Sequence, residues 1–485
     1  MATATDAKPH ERSHEGPEEG SHEGWSSRSA FILAAIGSAV GLGNMWRFPA
    51  EAGANGGGAF VLFYIVCVIL IGLPVLLSET LIGRHGQASG PYSVLRMARD
   101  SSASGNWQIV GLIGVVSSFL VLSFYCVVGG WVLYYIGIFA ADLVHTGVAG
   151  GAFQGRGPAT IETLLPELFG NGLLMVALDA LFLGATLFFV ARGVSKGIEF
   201  VATWIMPAFF VLIVAITIYG AVTGAFIEAL AYLFTFEPSK LTGPVMLAAL
   251  GQAFFSLSLG MAGMITYGSY VSKDVNLAGT STIIASADTG VALLAGLCIF
   301  PIVFTAGLAP EAGPTLMFQS LPLAFQTMPA GSLVGFLFFI MVGFAALTSS
   351  VALLEVPTAW LMERFGLRRT IASVMLAAGA LLLGVLSALS FNTLAGSYPL
   401  TFLPLFSEQG WFDLLDTLTS KLLMPIAAIL TAVFVGWIAA PRIVDAEAGL
   451  TGGLYRFYRV LVRWVCPLAL TAILLVGIFP SLIGG

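Results

Sequence analysis

Eleven stretches of this chain are apolar over lengths that cross a bilayer. They run roughly over 29–50, 58–82, 109–141, 172–191, 197–222, 243–270, 280–308, 333–363, 370–390, 413–439 and 458–482, and are called segments 1 to 11 below. A helix rises about 1.5 Å per residue, so each can span about 30 Å of hydrocarbon. Barrel strands would instead alternate over ~10 residues. Charge is scarce: 58% of the 485 residues are hydrophobic and 9% charged, where a soluble domain carries about 25%. That excludes a soluble multidomain protein, a secreted disulfide scaffold, a nucleic-acid binder and a disordered chain. The expected class is an all-α polytopic membrane protein.

Basic residues set the orientation. With the N-terminus inside, 16 of the 20 Lys and Arg fall on the cytoplasmic side. Only Arg156 and Lys240 fall outside, while Arg47 and Lys421 lie within segments. Such a bias predicts an inside N-terminus, and eleven crossings put the C-terminus outside. Residues 1–24 are polar, repeat Ser-His-Glu-Gly at 13–16 and 21–24, and read as a disordered cytoplasmic tail. No cleavable signal precedes Trp25. Cys67, Cys126, Cys298 and Cys466 all fall inside segments, so no disulfide is expected.

Two segments depart from smooth, lipid-facing helix. Segment 1 carries Gly37-Ser38-Ala39-Val40-Gly41-Leu42-Gly43-Asn44, then Arg47 and Pro49; segment 6 carries Ser256-Leu257-Ser258-Leu259-Gly260. Glycine runs at mid-membrane favour unwinding, which is tolerated where backbone lines a cavity. Glycines also serve close helix packing, and both readings stand at this point. Interruptions at matching places in two halves point to a transporter binding site. Glu79, Asp179, Asp288, Glu355 and Arg47 also fall within segments. Each is costly there unless paired or hydrated, so each serves either function or a structural bond between helices. Thr348-Ser349-Ser350 in segment 8 offers hydroxyls that either bond their own helix or act as hard oxygen ligands for a small cation.

The stretch GSAVGLGNMWRFPAEAGANGGGAF (37–60) resembles the signature of the neurotransmitter:sodium symporter family. The resemblance continues through GQAFFSLSLGMAGMITYGSYV (251–271), GPTLMFQSLP (313–322) and AALTSSVALLE (345–355), and covers the chain from Trp25 onward. It implies the LeuT-type fold: two inverted five-helix repeats, 25–223 and 224–440, with helices 1 and 6 broken, then an eleventh span in 441–485. Eleven rather than twelve spans matches bacterial members, hence the bacterial inner membrane.

The resemblance implies no cofactor and two co-transported sodium ions. One would be held by the Ala39 carbonyl, Asn44, Ser256, Asp288 and the substrate carboxylate. The other would use the Gly37, Val40 and Ala345 carbonyls with Thr348 and Ser349. The substrate pocket would include the Leu42 and Gly43 backbone, Val121, Tyr125, Phe255, Ser256, Ser258, Met261, Ser349 and Leu353. Arg47 and Asp416 would form an outer gate. At the inner gate the family's Arg and Asp positions are His22 and Glu363, with Arg28 nearby and Tyr270 matching the gate tyrosine.

Departures from the family pattern refine the expectation. Amine-carrying members have Asp where this chain has Gly41, so amino acids are favoured. At the chloride position Tyr64, Gln252 and Ser256 remain, but Asp288 and Ala292 replace Asn and Ser, so chloride independence is expected, with Asp288 a candidate to take a proton on the return step. Gly197-x9-Pro207 in segment 5 matches a spacing that unwinds the inner half of that helix in related members; a fixed kink is the alternative. Apolar Val121, Phe255, Met261 and Leu353 imply neutral aliphatic or aromatic amino acids. The expected function is sodium-coupled amino-acid import by alternating access, not an enzyme, with the amino acid, sodium and lipid bilayer as partners, no nucleic acid, in a monomer or weak oligomer. A proton-driven transporter of the same fold and a non-transporting sensor are the alternatives.

Overall fold

The computed structural model describes residues 24–310 and 316–479. Residues 1–23, with most of the expected tail and His22, lie outside them. Nine helices among the described residues are long and apolar enough to cross a membrane. A tenth crossing is a bent pair, Arg28–Ala39 and Gly43–Ala54, which meet at 49°. Segment 6 divides into Gly243–Ser256 and Gly263–Ser269, each too short to count as a crossing by itself. The continuous crossings are therefore nine, and the two remaining segments are the two that the glycine runs marked.

Both interruptions have local causes. In segment 1, Val40 leaves helical geometry with ψ 109 and the chain resumes at Gly43. Asn44 fills the gap: its Oδ1 accepts from the Gly41 amide at 3.1 Å. A Cβ at Gly41 would lie 2.4 Å from Ser349 Oγ and 2.9 Å from the Tyr125 hydroxyl, so glycine lets segments 8 and 3 approach this closely. In segment 6, Ser258, Gly260 and Ala262 all have positive φ (53, 80 and 54), which no helix accommodates. The freed Gly260 amide donates to Glu79 Oε1 at 2.7 Å, which places a buried carboxylate of segment 2 against the break.

Segment 5 differs from both sequence alternatives. Its inner half is neither unwound nor simply kinked. It winds as two wide π turns, Val194–Ile198 and Val201–Ile205, before the regular helix Met206–Thr223. Pro207 has no N–H to offer the preceding turn, and the wider turns absorb that missing bond.

Two groups of helices emerge from the packing. Segments 3, 4, 8 and 9 pack on one another, with 3 against 8 the most extensive pair. Segment 2 holds both halves of segment 6, and segment 5 packs along segment 7. The inner helix of segment 1 lies against segment 8, and its outer part against segment 7. The four cysteines are buried and free, as expected.

Gly260 combines a left-handed backbone with close approach to the Met424 carbonyl of segment 10. Gly260→Ala is expected to lose about 1–2 kcal/mol from backbone strain alone, and more from the clash. A thermal melt of the purified variant checks this; a melting point equal to the parent's would refute it.

Candidate functional site

The broken ends of segments 1 and 6 meet segments 3 and 8 around a small cavity. Its walls include Leu42, Gly43, Val121, Tyr125, Phe255, Ser256, Ser258, Met261, Ser349 and Leu353, all ten residues expected to share one pocket. Tyr125 presents its hydroxyl to the freed amide of Leu42, which donates to it at 3.2 Å. Phe255 covers one side, and the Arg47 guanidinium stacks 4.4 Å above its ring. The walls also include Ser38, Gly41, Ser118, Ala352, Val356 and Gly263, which the motif reading did not place there. Helical spacing could have found some of them. Ser118, Val121 and Tyr125 lie three and four residues apart, as do Ser349, Ala352, Leu353 and Val356. Ser118 also donates to the Met261 carbonyl at 2.6 Å and so pins the loop of segment 6.

Two clusters of oxygen atoms flank this cavity. In the first, Asn44 Nδ2 donates to Ser256 Oγ at 2.9 Å, Asp288 Oδ1 at 2.8 Å and the Asp288 carbonyl at 3.1 Å. Ser256 Oγ donates to Asp288 Oδ2 at 2.7 Å. One carboxylate thus gathers segments 1, 6 and 7 in a fully buried knot. Beside it Tyr64 faces Ser256, Thr289 and Asp288. Gln252 Oε1 is buried there and accepts no hydrogen bond among the described residues. Gln252 spends its amide nitrogen on the Gly43 carbonyl, at 2.9 Å. Ala292, fully buried, adds no polar group.

The second cluster lies where the inner helix of segment 1 touches segment 8. Ser349 Oγ is 3.3, 3.4 and 3.1 Å from the carbonyls of Gly37, Ser38 and Val40. The Thr348 hydroxyl turns the other way and bonds its own helix at Ala345, 2.9 Å, and Phe344, 3.2 Å. Thr348 thus takes the first of the two alternatives, bonding its own helix, while Ser349 reaches across to segment 1. Gly37 permits the contact, since a Cβ there would sit 3.2 Å from Thr348 Cβ. A smaller cavity beneath it is walled by Ala34, Gly37, Ile198, Val201, Tyr267 and Thr348, among others.

The gates depart from expectation. Arg47 makes no ion pair with Asp416. It pairs instead with Glu51, one turn along its own helix, at 3.7 Å, and rests on Phe255. The i,i+4 neighbour is held at that distance whatever the tertiary arrangement, whereas Asp416 belongs to another helix. At the opposite end Tyr270 does not reach Glu363. Its hydroxyl donates to Glu355 Oε1 at 2.7 Å, and Arg369 grips the same carboxylate at 2.5 and 3.1 Å. Glu363 accepts from the Ser89 amide at 2.8 Å and pairs with Arg96 at 3.6 Å. Glu355 and Glu363 are about 12 Å apart along one helix, and the inner half of segment 6 meets segment 8 at the level of Glu355. Arg28 is exposed and has no ion pair among the described residues. Trp25 closes the inner end by donating from Nε1 to the Tyr267 carbonyl at 3.2 Å, while Ser26 bonds Glu199 of segment 5.

The two ion pairs at this end should differ in weight. Glu355 is fully buried and Arg369 is 10% exposed, against 30% and 48% for Glu363 and Arg96. Arg369→Ala strands a buried carboxylate and is expected to cost about 3–5 kcal/mol, while Arg96→Ala costs about 0–1 kcal/mol. Denaturation of the two variants checks the ranking, and equal losses would contradict it.

Known proteins share this arrangement. A model of the sodium:neurotransmitter symporter family matches residues 22–146 and 170–481. The sodium-dependent transporter YhdH of Bacillus subtilis is 36% identical over 455 residues, 93% of this chain and 96% of that protein. A sodium-dependent transporter of Haemophilus influenzae is 32% identical over 463 residues, 94% of this chain and 98% of that protein. Among solved structures, MhsT in complex with L-phenylalanine superposes with a TM-score of 0.83 at 39% identity, over 94% of this chain and 99% of that one.

Proposed function

Because the chain belongs to the sodium:neurotransmitter symporter family, a family of membrane transporters and not of enzymes, we propose that it imports neutral, hydrophobic amino acids together with sodium. The observation that carries this reading is the position of one apolar-walled cavity between two clusters of hard oxygen atoms, each built on a broken segment. Oxygen ligands of this kind suit small hard cations. The solved relative bound to L-phenylalanine supports an amino acid of that type.

In this proposal the substrate carboxylate takes the amides freed after Gly41 and the hydroxyl of Tyr125. A helix start there favours negative charge. The ammonium takes freed carbonyls of segment 6, and the side chain lies among Val121, Phe255, Met261 and Leu353. One sodium is held by the Ala39 carbonyl, Asn44, Ser256 and Asp288 with the substrate carboxylate. The other is held by the Gly37, Val40 and Ala345 carbonyls with Thr348 and Ser349. A shared carboxylate couples the first ion to the substrate, because each tightens the binding of the other.

Alternating access then moves segments 1, 2, 6 and 7 against the mutually packed 3, 4, 8 and 9. Arg47, Phe255 and Asp416 close the outer side. The Tyr270–Glu355–Arg369 cluster and Trp25 hold the inner side until it opens. The wide turns of segment 5 beside the second ion cluster provide the weakest wall, and the small cavity under Thr348 lies on the release path. The N-terminus is on the cytoplasmic side of the bacterial inner membrane.

Thermal stabilisation of the purified protein by the twenty amino acids, in sodium and in potassium, tests this function. Stabilisation is expected with aliphatic or aromatic amino acids in sodium only, and its loss in Ser349→Ala and Asn44→Ala. No response to any amino acid in sodium would end the proposal. Chloride is a separate question: Asp288 brings the negative charge that an anion would supply. Uptake into vesicles is expected to be unchanged when gluconate replaces chloride, and a fall to background would show that Asp288 does not stand in for the anion.

A further inference from the structure

We propose that Arg459 and Arg463, framed by Trp437 and Trp464, form a headgroup site for one anionic phospholipid. Segment 10 ends in the wide turn Phe434–Ile438, and its last carbonyls receive both arginines. Arg459 donates from Nη1 to the Val435 carbonyl at 2.8 Å and from Nη2 to the Gly436 carbonyl at 3.0 Å. Arg463 donates from Nε to the same Gly436 carbonyl at 2.7 Å. Cations are favoured at a helix C-terminus, but the end of a helix carries only about half a unit of charge. Two whole positive charges meet here on one carbonyl.

No acidic side chain among the described residues is within ion-pair distance of either guanidinium. Glu447, on the short helix Pro441–Ala448 that follows segment 10, is already taken by Arg84 at 2.7 Å and His85 at 3.3 Å. Arg459 is 8% exposed, so water neutralises it poorly. Arg463 commits only Nε to hydrogen bonds among the described residues. The rest of its planar fork matches two oxygens of a phosphate.

The surroundings fit a lipid rather than a free anion. Trp437 Nε1 donates to the Arg463 carbonyl at 3.1 Å, and its ring meets Trp464 edge-on at 4.7 Å. Both rings are half exposed, as tryptophans at a membrane interface are. From Trp464 toward the bilayer interior, the exposed side chains Leu468 and Leu475 continue along one face four and then seven residues on, a track for acyl chains. Exposed Arg456, two turns before Arg463, adds a third cation. A zwitterionic lipid would bring an ammonium against this cluster, whereas an anionic one brings only negative charge.

The test uses the full chain, purified and delipidated in neutral detergent. Phosphatidylglycerol, phosphatidylcholine and inorganic phosphate are titrated separately while the unfolding temperature is read. A saturable rise with phosphatidylglycerol alone is expected. Arg463→Gln should weaken that response about fivefold, the effect of removing one interfacial cation, and Arg463→Lys should recover most of it. Sodium-dependent stabilisation by an amino acid serves as the folding control, since none of these residues touches the cavity; if Arg463→Gln fails it, Arg456→Gln carries the same measurement. An equal rise with phosphatidylcholine, an equal rise with inorganic phosphate, or an unchanged response in a folded variant would each overturn the proposal.

Discussion

Backbone groups buried in hydrocarbon must find partners, and each unmet one costs several kcal/mol. That constraint organises this molecule. Two segments give up helical bonding in mid-membrane, and specific side chains take over the groups released. Asn44 accepts the Gly41 amide, Tyr125 the Leu42 amide, and Glu79 the Gly260 amide. Gln252 and Ser349 serve carbonyls of segment 1. Of these residues, Tyr125 and Ser349 also line the cavity, while Asn44, Glu79 and Gln252 brace its broken walls from behind.

The repair is unequal between the two helix groups. Tyr125 and Ser349 belong to the segments that pack on one another, while Glu79, Gln252 and Asn44 belong to those that carry the breaks. Bonds of the first kind cross between groups and bonds of the second kind stay within one. At the inner end the Tyr270–Glu355–Arg369 cluster also crosses, from segment 6 to segments 8 and 9. A fully buried carboxylate with three donors fixes that crossing in a way that the half-exposed Arg96–Glu363 pair does not.

Much of this was legible in the chain itself, for physical reasons. Asn44, Asp288, Glu79 and Ser349 stand out because their types are expensive in a membrane, and the breaks stand out because small and polar residues cluster there at mid-membrane depth in both segments. What stayed hidden depends on tilt and rotation. Arg369 opens the helix of segment 9, and nothing in its spacing says it folds back to Glu355 rather than reaching Glu363. The Glu51 partner of Arg47 was readable from its i,i+4 interval, yet the expected long-range pair with Asp416 overshadowed it. Segment 5 kept its hydrogen bonds by widening, an option that a proline and a glycine do not announce. Ser118 and Val356 became visible as cavity walls once the facing side of each helix was known.

The hydroxyl of Ser349 has one proton and three carbonyls within reach. It can satisfy only one at a time, so the three contacts are alternatives rather than three simultaneous bonds. The junction of segments 1 and 8 is thus one proton shared among three acceptors. The inner helix of segment 1 can therefore shift along segment 8 by passing that hydrogen bond from one carbonyl to the next, without the serine ever losing its acceptor.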